Sequence, residues 1–440
     1  MRIALRIIAL LFVAVLAFAL IYVRSAASVA VGYSAKQLCS GVFVAGLPAS
    51  FIEERDIAPR MAVLGPLLPL LHLEVDAEAG FSEARLLGVS ARAVHSSATG
   101  CVLHGTGAGL PPLPNPELNS DAVPVPELLQ SAFDDAFAEP SGGGRNTLAL
   151  LVLHDGSLIA ERYSGPVTAQ TRMQGWSMNK SLVATWIGLL SQQDAFEPAR
   201  TLGDLWAGDA EAPELDGRIS VLHLLQMESG IGFEERYGPG SDATRMLYQS
   251  KAMWRTVASS KQARVPGSHF SYSSGDTVLA SYFWQRSLAQ SYPDWIRQNF
   301  SEPLGIRSLV AEADASGMQV GSSYAYMTAR DWLRVGALWL DAWHGRSAQL
   351  SKEWLRSSVS ARDSDPSGRY GRGFWLNTNG VRHPGLPENL FAASGNAGQS
   401  ITVLPEWNIV VVRLGLSSPG VDLGMTQFLQ HLAELKDQLP

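Results

Sequence analysis

The sequence predicts an α+β fold, an α/β sandwich in which an antiparallel sheet is flanked by helices and carries an all-helical subdomain. Two observations predict it. Apolar runs typical of strands occur at residues 147–163 and again at 400–415. Apolar residues at helical spacing dominate the region between them, from about residue 190 to 345. A sheet assembled from both ends of this region, with helices inserted in the middle, fits that order.

The N-terminus begins with an apolar segment. Residues 7–23 carry no charge, two arginines precede them and Arg24 follows. A helix of about 17 to 20 apolar residues can span a bilayer, so we expect a signal anchor or a signal peptide in residues 1–27. Because basic residues stay on the cytoplasmic side, the rest of the chain would be exported to the periplasmic side of the inner membrane. Cleavage near the small residues 25–30 would instead release a soluble periplasmic or secreted protein.

Residues 28–109 hold both cysteines of the chain, Cys39 and Cys101. An exported chain meets an oxidising compartment, which favours a disulfide between them. That bond would close a loop of about 62 residues and contribute about 4 kcal/mol in the chain-entropy model. The alternative is a pair of free, buried thiols. Short apolar runs around the cysteines predict strands or brief helices, and the sequence assigns this segment no role.

A proline-rich stretch separates this segment from the last domain. Residues 110–129 contain six prolines, which disfavour helix interiors and central strands, so we predict an extended linker. The last domain then covers residues 130–440, with its helical subdomain at about residues 190–345.

Each element of the last domain has its own signal. Asp155-Gly156 between two apolar runs is typical of a two-residue hairpin turn. Residues 181–193 have the apolar spacing of a helix, as do several later segments. A second hairpin is predicted to turn at residues 405–408, and the amphipathic pattern of residues 425–438 predicts a closing helix.

Composition and missing motifs argue against several classes of function. The net charge is −7 and the sequence has no lysine- or arginine-rich block, so nucleic acid is not an expected partner. The nine histidines show no metal-binding spacing, so no metal is expected. The sequence also lacks a phosphate-binding Walker loop and the G-x-S-x-G turn, and no organic cofactor is expected.

One spacing suggests nucleophilic chemistry. Ser177 and Lys180 are three positions apart at the start of a predicted helix, so their side chains would lie on one face. A serine hydroxyl becomes a strong nucleophile when a base takes its proton, and a lysine can be that base in apolar surroundings. The spacing alone is common. Its other interpretation is a helix-capping serine followed by a solvated lysine.

Two further motifs give this spacing a context. Tyr272-Ser273-Ser274 lies in "FSYSSGD", and the glycine-rich turn "ASGNAGQ" directly precedes the strand near residue 400. With the Ser-x-x-Lys spacing, they resemble the serine β-lactamase and penicillin-binding superfamily and occur in its order. Within it, the chain is most similar to class C β-lactamase-related hydrolases of the 6-aminohexanoate-dimer hydrolase and esterase type. The resemblance covers about residues 145–435 and implies a β-lactamase/transpeptidase-like fold.

The resemblance also implies roles for individual residues. Ser177 would be the acylated nucleophile and Lys180 its general base. Tyr272 would be a second proton shuttle, and Ser274 would contact Lys180 or the substrate. The backbone N–H groups of Ser177 and Asn396 would form the oxyanion hole.

The third motif departs from the family pattern. Where relatives carry Lys-Thr-Gly, His-x-Gly or Trp-Gly-Gly, this chain has Ala393-Ser394-Gly395. Ser394 and Gly395 are still expected to line the substrate. However, the cation that holds a substrate carboxylate in this superfamily is missing from the motif. The resemblance therefore implies an ester or small amide as substrate more than a penicillin or a D-alanyl peptide.

The sequence thus predicts an exported serine hydrolase that acts through an acyl-enzyme on a small-molecule ester or amide, with membrane contact through residues 7–23. A β-lactamase or D-alanyl peptidase is one alternative. A membrane-tethered binding or sensor protein with a decayed active site is an alternative of another class. The complete set of Ser177, Lys180 and Tyr272 argues against decay.

Overall fold

The computed structural model of the chain describes residues 2–106, 109–110, 112–114, 116, 121–193, 195–209 and 213–440, without the side chains of residues 2–5, 8–9 and 14–20. Within these residues the chain forms 13 strands and 14 α-helices. The predicted mixed fold of helices and antiparallel sheet is therefore confirmed.

The strands fall into an N-terminal group and a group in the last domain. Their bounds are β1 His72–Asp76, β2 Phe81–Leu86, β3 Val89–Ser96, β4 Gly100–Leu103, β5 Thr147–His154, β6 Ser157–Tyr163, β7 Arg172–Gln174, β8 Val310–Ala311, β9 Ala325–Thr328, β10 Trp375–Leu376, β11 Phe391–Gly395, β12 Gln399–Leu404 and β13 Ile409–Gly415. The helices are α1 Arg2–Cys39, α2 Ala49–Ile52, α3 Ala58–Met61, α4 Gln130–Phe137, α5 Met178–Ser191, α6 Leu202–Leu205, α7 Val221–Leu225, α8 Asp242–Gln249, α9 Met253–Ala258, α10 Ser274–Arg286, α11 Tyr292–Ile296, α12 Ala329–His344, α13 Lys352–Ser358 and α14 Met425–Leu435.

The main sheet joins the two predicted hairpins. Its order is β10-β11-β12-β13-β5-β6, and β13 pairs antiparallel with β5. Asp155 and Gly156, at the turn between β5 and β6, have φ angles of 44° and 80°, as a type I′ turn requires. The two ends of the last domain therefore meet in one sheet, as the strand order predicted.

Helices cover both faces of this sheet. Successive residues of β5 point to opposite faces, so Leu151 and Leu153 pack into the core that contains α5 and α12. Leu150 and Val152 pack into a second core with α4 and α14. The result is a three-layer sandwich. The helix that follows Ser177, α5, packs against one face of the sheet.

The N-terminal segment packs onto the last domain. The second half of α1 is buried and contacts β2, β3 and α8, and β1–β4 form an antiparallel sheet of their own. The predicted disulfide is confirmed: Cys39 is bonded to Cys101, with their Cα atoms 5.9 Å apart. Lys36 of α1 also forms a buried ion pair with Glu312.

The transmembrane helix expected at residues 7–23 is not supported. Among the residues that are described, no helix is both long and apolar enough to cross a bilayer. In that stretch, the side chains of residues 8–9 and 14–20 lie outside the description.

The predicted linker is only partly described, and the region expected to be helical contains two short strands. In the predicted linker, residues 111, 115 and 117–120 lie outside the described residues, and residues 121–126 form neither helix nor strand. In the region expected to be helical, β9 pairs with both β7 and β8 in a small three-stranded sheet. These strands have only two and four residues, too few for a period-two pattern to stand out in the sequence.

Candidate active site

Ser177 stands at the start of α5 with a hydroxyl that takes no part in capping the helix. It follows β7 through a sharp turn in which Trp176 has a φ of 48°, a left-handed conformation that costs a non-glycine residue about 1–2 kcal/mol. Ser177 occupies the N-cap position, but its side chain makes no capping hydrogen bond. The half-buried hydroxyl is therefore not engaged in helix capping. The interpretation of Ser177 as a helix-capping serine is excluded.

Lys180 is buried beside Ser177. Its side chain is 1% exposed, and its Nζ lies 3.0 Å from Ser177 Oγ, 3.0 Å from Ser274 Oγ and 3.2 Å from the carbonyl oxygen of Ser322. Within the described part of the chain it forms no ion pair. Three oxygens therefore surround the amine, and the solvated lysine of the alternative interpretation is excluded.

Tyr272 lies on the other side of Lys180. The Lys180 Nζ is 5.0 Å from the centroid of the Tyr272 ring, and Trp375 stacks on that ring at 5.2 Å. Tyr272 is half-buried. No hydrogen bond of its hydroxyl is found among the described residues, so the structure brings Tyr272 to the site without a direct bond to Ser177.

The third motif approaches the backbone of Ser177. β11 ends at Gly395, where a Cβ atom would lie 2.2 Å from the carbonyl oxygen of Gly175 and 3.1 Å from Ser177 N. Only glycine permits this approach. The N–H groups of Ser177 and of Asn396, the next residue, have no hydrogen-bond acceptor among the described residues. Two backbone donors are thus available at the end of β11.

Arg382 brings a cation to this motif, which sequence reasoning missed. Its Nη2 donates to Ser394 Oγ at 3.0 Å, and its guanidinium lies 5.2 Å from the Trp375 ring. Burial lowers the pKa of Arg382 to about 10, against the effect of nearby Tyr272, so it stays charged at neutral pH. A cavity of about 350 Å³ is lined by Arg382, Ser394, Gly395 and Asn396 among others. A cation therefore lies beside the third motif, contributed by a different segment of the chain.

Glu235 is a second residue that sequence reasoning did not find. Its carboxylate accepts hydrogen bonds from Ser274 N–H at 2.7 Å, from Ser274 O–H at 2.6 Å and from the Tyr237 hydroxyl at 2.9 Å. Ser274 thus lies between Glu235 and Lys180. Glu235 belongs to no motif, and its sequence neighbours carried no signal for this contact.

Nothing in the described residues suggests a metal centre. No group of three or more His, Cys, Asp or Glu side chains there is arranged to hold an ion. The groups that the structure brings together here are a hydroxyl, an amine, a phenol, a guanidinium, a carboxylate and backbone N–H groups.

Comparison with known proteins places this site in a family context. A family model described as Beta-lactamase matches residues 133–428. Over 297 residues the chain is 25% identical to the 6-aminohexanoate-dimer hydrolase of Paenarthrobacter ureafaciens, a match that covers 61% of this chain and 72% of the relative.

Two solved structures share the fold. EstCE1, a hydrolase with promiscuous acyltransferase activity, is similar with a TM-score of 0.56 and 16% identity, covering 70% of this chain and 97% of its own. A D-stereospecific amidohydrolase from Streptomyces is similar with a TM-score of 0.53 and 16% identity, also covering 70% and 97%. At these identities the likeness concerns the fold.

Proposed function

The chain belongs to the beta-lactamase family and is a β-lactamase-fold hydrolase, and on that premise we propose that it hydrolyses an ester or a small amide through an acyl-enzyme on Ser177. One observation carries the proposal. The buried amine of Lys180 lies 3.0 Å from a serine hydroxyl that makes no capping bond. This is the arrangement of a nucleophile with its base.

In the proposed reaction, neutral Lys180 takes the proton of Ser177 Oγ as this oxygen attacks the carbonyl carbon of the substrate. The N–H groups of Ser177 and Asn396 would stabilise the oxyanion. The bond to the leaving group then breaks, Lys180 with Tyr272 returns the proton to that group, and the acyl group stays on Ser177. A water molecule, deprotonated by the same residues, cleaves the acyl ester and restores the serine.

Arg382 supports a substrate that carries a carboxylate. Its guanidinium faces the third motif and forms no ion pair within the described residues, and charged hydrogen bonds from arginine suit carboxylates. A linear amide with a free carboxylate, such as the 6-aminohexanoate dimer named for the relative, fits this requirement. We therefore propose carboxylate-bearing amides or esters as the substrate class.

The same cation favours a second candidate function. The sequence argued against a β-lactamase or D-alanyl peptidase because the third motif lacks a lysine. With Arg382 bonded to Ser394, that argument no longer holds, since penicillins and D-alanyl peptides also carry a carboxylate. This candidate stays behind the first because the curated relative is a dimer hydrolase.

Covalent labelling tests the proposed function. A fluorophosphonate should modify the wild type on the peptide that contains Ser177, and Ser177→Ala should not label. The control is Ser271→Ala, an exposed serine next to Tyr272, which should label like the wild type. Absence of labelling in the wild type would instead favour the decayed binding or sensor protein, and equal labelling of Ser177→Ala would refute the assigned nucleophile.

A substrate panel separates the two candidates. It should contain p-nitrophenyl esters, the linear 6-aminohexanoate dimer, nitrocefin and D-Ala-D-Ala peptides. We expect the highest kcat/KM among the linear amide and the esters. A higher value for nitrocefin or the peptides would replace the first candidate with the second.

The cellular location stays a prediction from the sequence. We propose export, and the bond between Cys39 and Cys101 supports it because disulfides persist in oxidising compartments. Cell fractionation should find the protein outside the cytoplasm. Extraction of the membrane fraction then distinguishes retention through residues 7–23 from release, and a cytoplasmic protein would contradict the proposal.

A further inference from the structure

We propose that Glu235 is a positioning residue that sets the direction of the hydrogen bond between Ser274 and Lys180, and thereby aims the lone pair of Lys180 at Ser177. The inference rests on the proposed function, in which Lys180 is the general base. Within the described residues, no hydrogen bond or ion pair joins Glu235 to Ser177 or to Lys180. Any influence it has on them passes through Ser274.

Glu235 holds Ser274 by both of its donors. The Ser274 N–H donates to Oε2 at 2.7 Å, and the Ser274 O–H donates to Oε1 at 2.6 Å. An ionised carboxylate can only accept hydrogen bonds. The proton of Ser274 Oγ must therefore point at Glu235 and away from Lys180.

The direction of the Ser274 hydroxyl decides which hydrogen bonds Lys180 can form. With its proton on Glu235, Ser274 Oγ can only accept at its 3.0 Å contact with Lys180 Nζ, and the Ser322 carbonyl at 3.2 Å is also an acceptor. A neutral amine has two N–H bonds and one lone pair, and these two oxygens take both N–H bonds. The lone pair is left for the third neighbour, the hydroxyl of Ser177 at 3.0 Å.

Burial removes other choices for these groups. Lys180 is 1% exposed and Ser274 is fully buried, so bulk water does not compete for either side chain. In such a site, hydrogen-bond directions are set by the protein groups themselves. A single carboxylate can therefore set the orientation of the base.

Glu235→Gln tests this orientation because it keeps the shape of the side chain and reverses the direction of its hydrogen bond with Ser274 Oγ. The amide oxygen would face the Ser274 N–H, so the NH2 group would donate to Ser274 Oγ. The Ser274 proton would then turn towards the lone pair of Lys180. General-base catalysis contributes about 10²–10⁴-fold, and we expect kcat on a p-nitrophenyl ester to fall about 30-fold with KM within about twofold.

The matched control is the neighbouring carboxylate. Glu234 bonds to Arg236 and not to Ser274 among the described contacts, so Glu234→Gln should leave kcat within about twofold of the wild type. Glu235→Asp keeps a group that can only accept, and it should recover most of the lost kcat. A value as low as that of the glutamine variant would count against the proposal.

A double-variant cycle shows whether Glu235 acts through Ser274. In a Ser274→Ala background there is no hydroxyl to orient, so Glu235→Gln should cost less than about twofold further. A 30-fold further loss would overturn the proposal, as would an unchanged kcat in the single glutamine variant. If Glu235→Gln failed to fold in a thermal melt, Glu235→Ala frees the same proton, and kcat within threefold of the wild type would overturn it.

Labelling of the wild type separates this inference from the proposed function. If the fluorophosphonate does not modify the wild type, the proposed function fails and the inference falls with it. If the wild type labels and Glu235→Gln labels equally fast, only the inference fails.

Discussion

The guanidinium of Arg382 has no carboxylate partner within the described residues, although most of it is removed from water. A buried cation without an anion is costly, and one that lines a cavity together with the third motif can be neutralised by a bound anion. Ser394 occupies the middle of the third motif. Its hydroxyl oxygen accepts a hydrogen bond from Nη2 of Arg382 and so fixes one end of the guanidinium. We therefore expect substrate choice in this chain to depend on a residue outside the motifs.

Arg382→Gln should separate acidic from neutral substrates. A hydrogen bond to a charged group contributes about 1.5–3 kcal/mol, so kcat/KM for an ester that carries a carboxylate should fall about 10- to 100-fold. The same variant should change kcat/KM of a matched neutral ester less than threefold. Arg346→Gln, which removes an exposed arginine paired with Asp341, should affect neither. An equal loss on both esters would contradict this role.

Asp276 predicts a pH dependence of stability. It is 1% exposed, and burial raises the pKa of its carboxyl from 3.8 to about 7, against the opposing effect of hydrogen bonds from Ser229 and Ser273. The folded protein therefore holds this proton up to about pH 7, while the unfolded chain releases it near pH 4. Its contribution to stability is present at low pH and is lost as the pH rises between these values.

Asp276→Asn should remove that dependence. At pH 8 the free energy of unfolding should rise by about 4 kcal/mol, and at pH 4 it should change little. Denaturant melts at both pH values measure this. Asp155→Asn, at an exposed turn, is the control and should be neutral at both. A variant less stable than the wild type at pH 8 would contradict the destabilising effect of burying this carboxylate.

At the level of elements, α1 is unexpectedly packed against the residue that precedes the candidate nucleophile. Tyr33 of α1 stacks on Trp176, the residue before the nucleophile, with ring centroids 6.5 Å apart. Glu312 accepts hydrogen bonds from Lys36 and Ser40, and also from the backbone of Cys101 at 2.7 Å. Burial lowers the pKa of Lys36, while Glu312 opposes that change. The helix is therefore held against the body that carries the serine.

Glu312→Gln should loosen this contact. Breaking a buried ion pair from one side leaves an uncompensated charge and costs about 3–5 kcal/mol, and we expect that loss in the free energy of unfolding. Glu83→Gln removes the partner of Arg85 on the surface and should cause little change. The two variants can be compared in urea melts. Equal stability of Glu312→Gln and the wild type would show that the pair is not needed.

At the level of the whole molecule, the N-terminal segment and the last domain share one apolar core. Residues of α1 and of the strand that contains Cys101 belong to the same buried cluster as α5 and α12. Sequence reasoning assigned this segment no role, and the structure shows that it packs next to the residue that precedes Ser177. The disulfide within the segment therefore bears on the stability of the entire molecule.

Removing the disulfide should destabilise the whole fold. Cys39 and Cys101 are 62 positions apart, and a loop of that length corresponds to about 4 kcal/mol. The Cys39→Ser, Cys101→Ser double variant should lose that amount in the free energy of unfolding, measured by denaturant. The wild type unfolded under reducing conditions should show the same loss. An unchanged midpoint would indicate that packing alone holds the segment.

Local patterns together with a family resemblance were enough to find the candidate nucleophile, base and tyrosine. Ser177 and Lys180 are one helical turn apart, and their contact follows from helix geometry alone. Tyr272 and the third motif came from resemblance in chain order. The hydroxyl of Tyr272 shows no bond to Ser177, and its role stays a proposal. Neither Arg382 nor Glu235 had a local signal, because no periodicity or motif links them to the residues that they touch.

The sequence by itself determined the mixed fold, both hairpins of the main sheet, the cysteine pair and the position of the candidate nucleophile. These depend on spacings of a few residues or on two cysteines with no other partner. Only the tertiary structure decided that Arg382 reaches Ser394, 12 positions away, and that Glu235 reaches Ser274, 39 positions away. Such contacts depend on the paths of loops, which are set by how the surrounding helices and strands pack. The charge proposed to meet the substrate and the carboxylate proposed to orient the base are therefore properties of the folded chain.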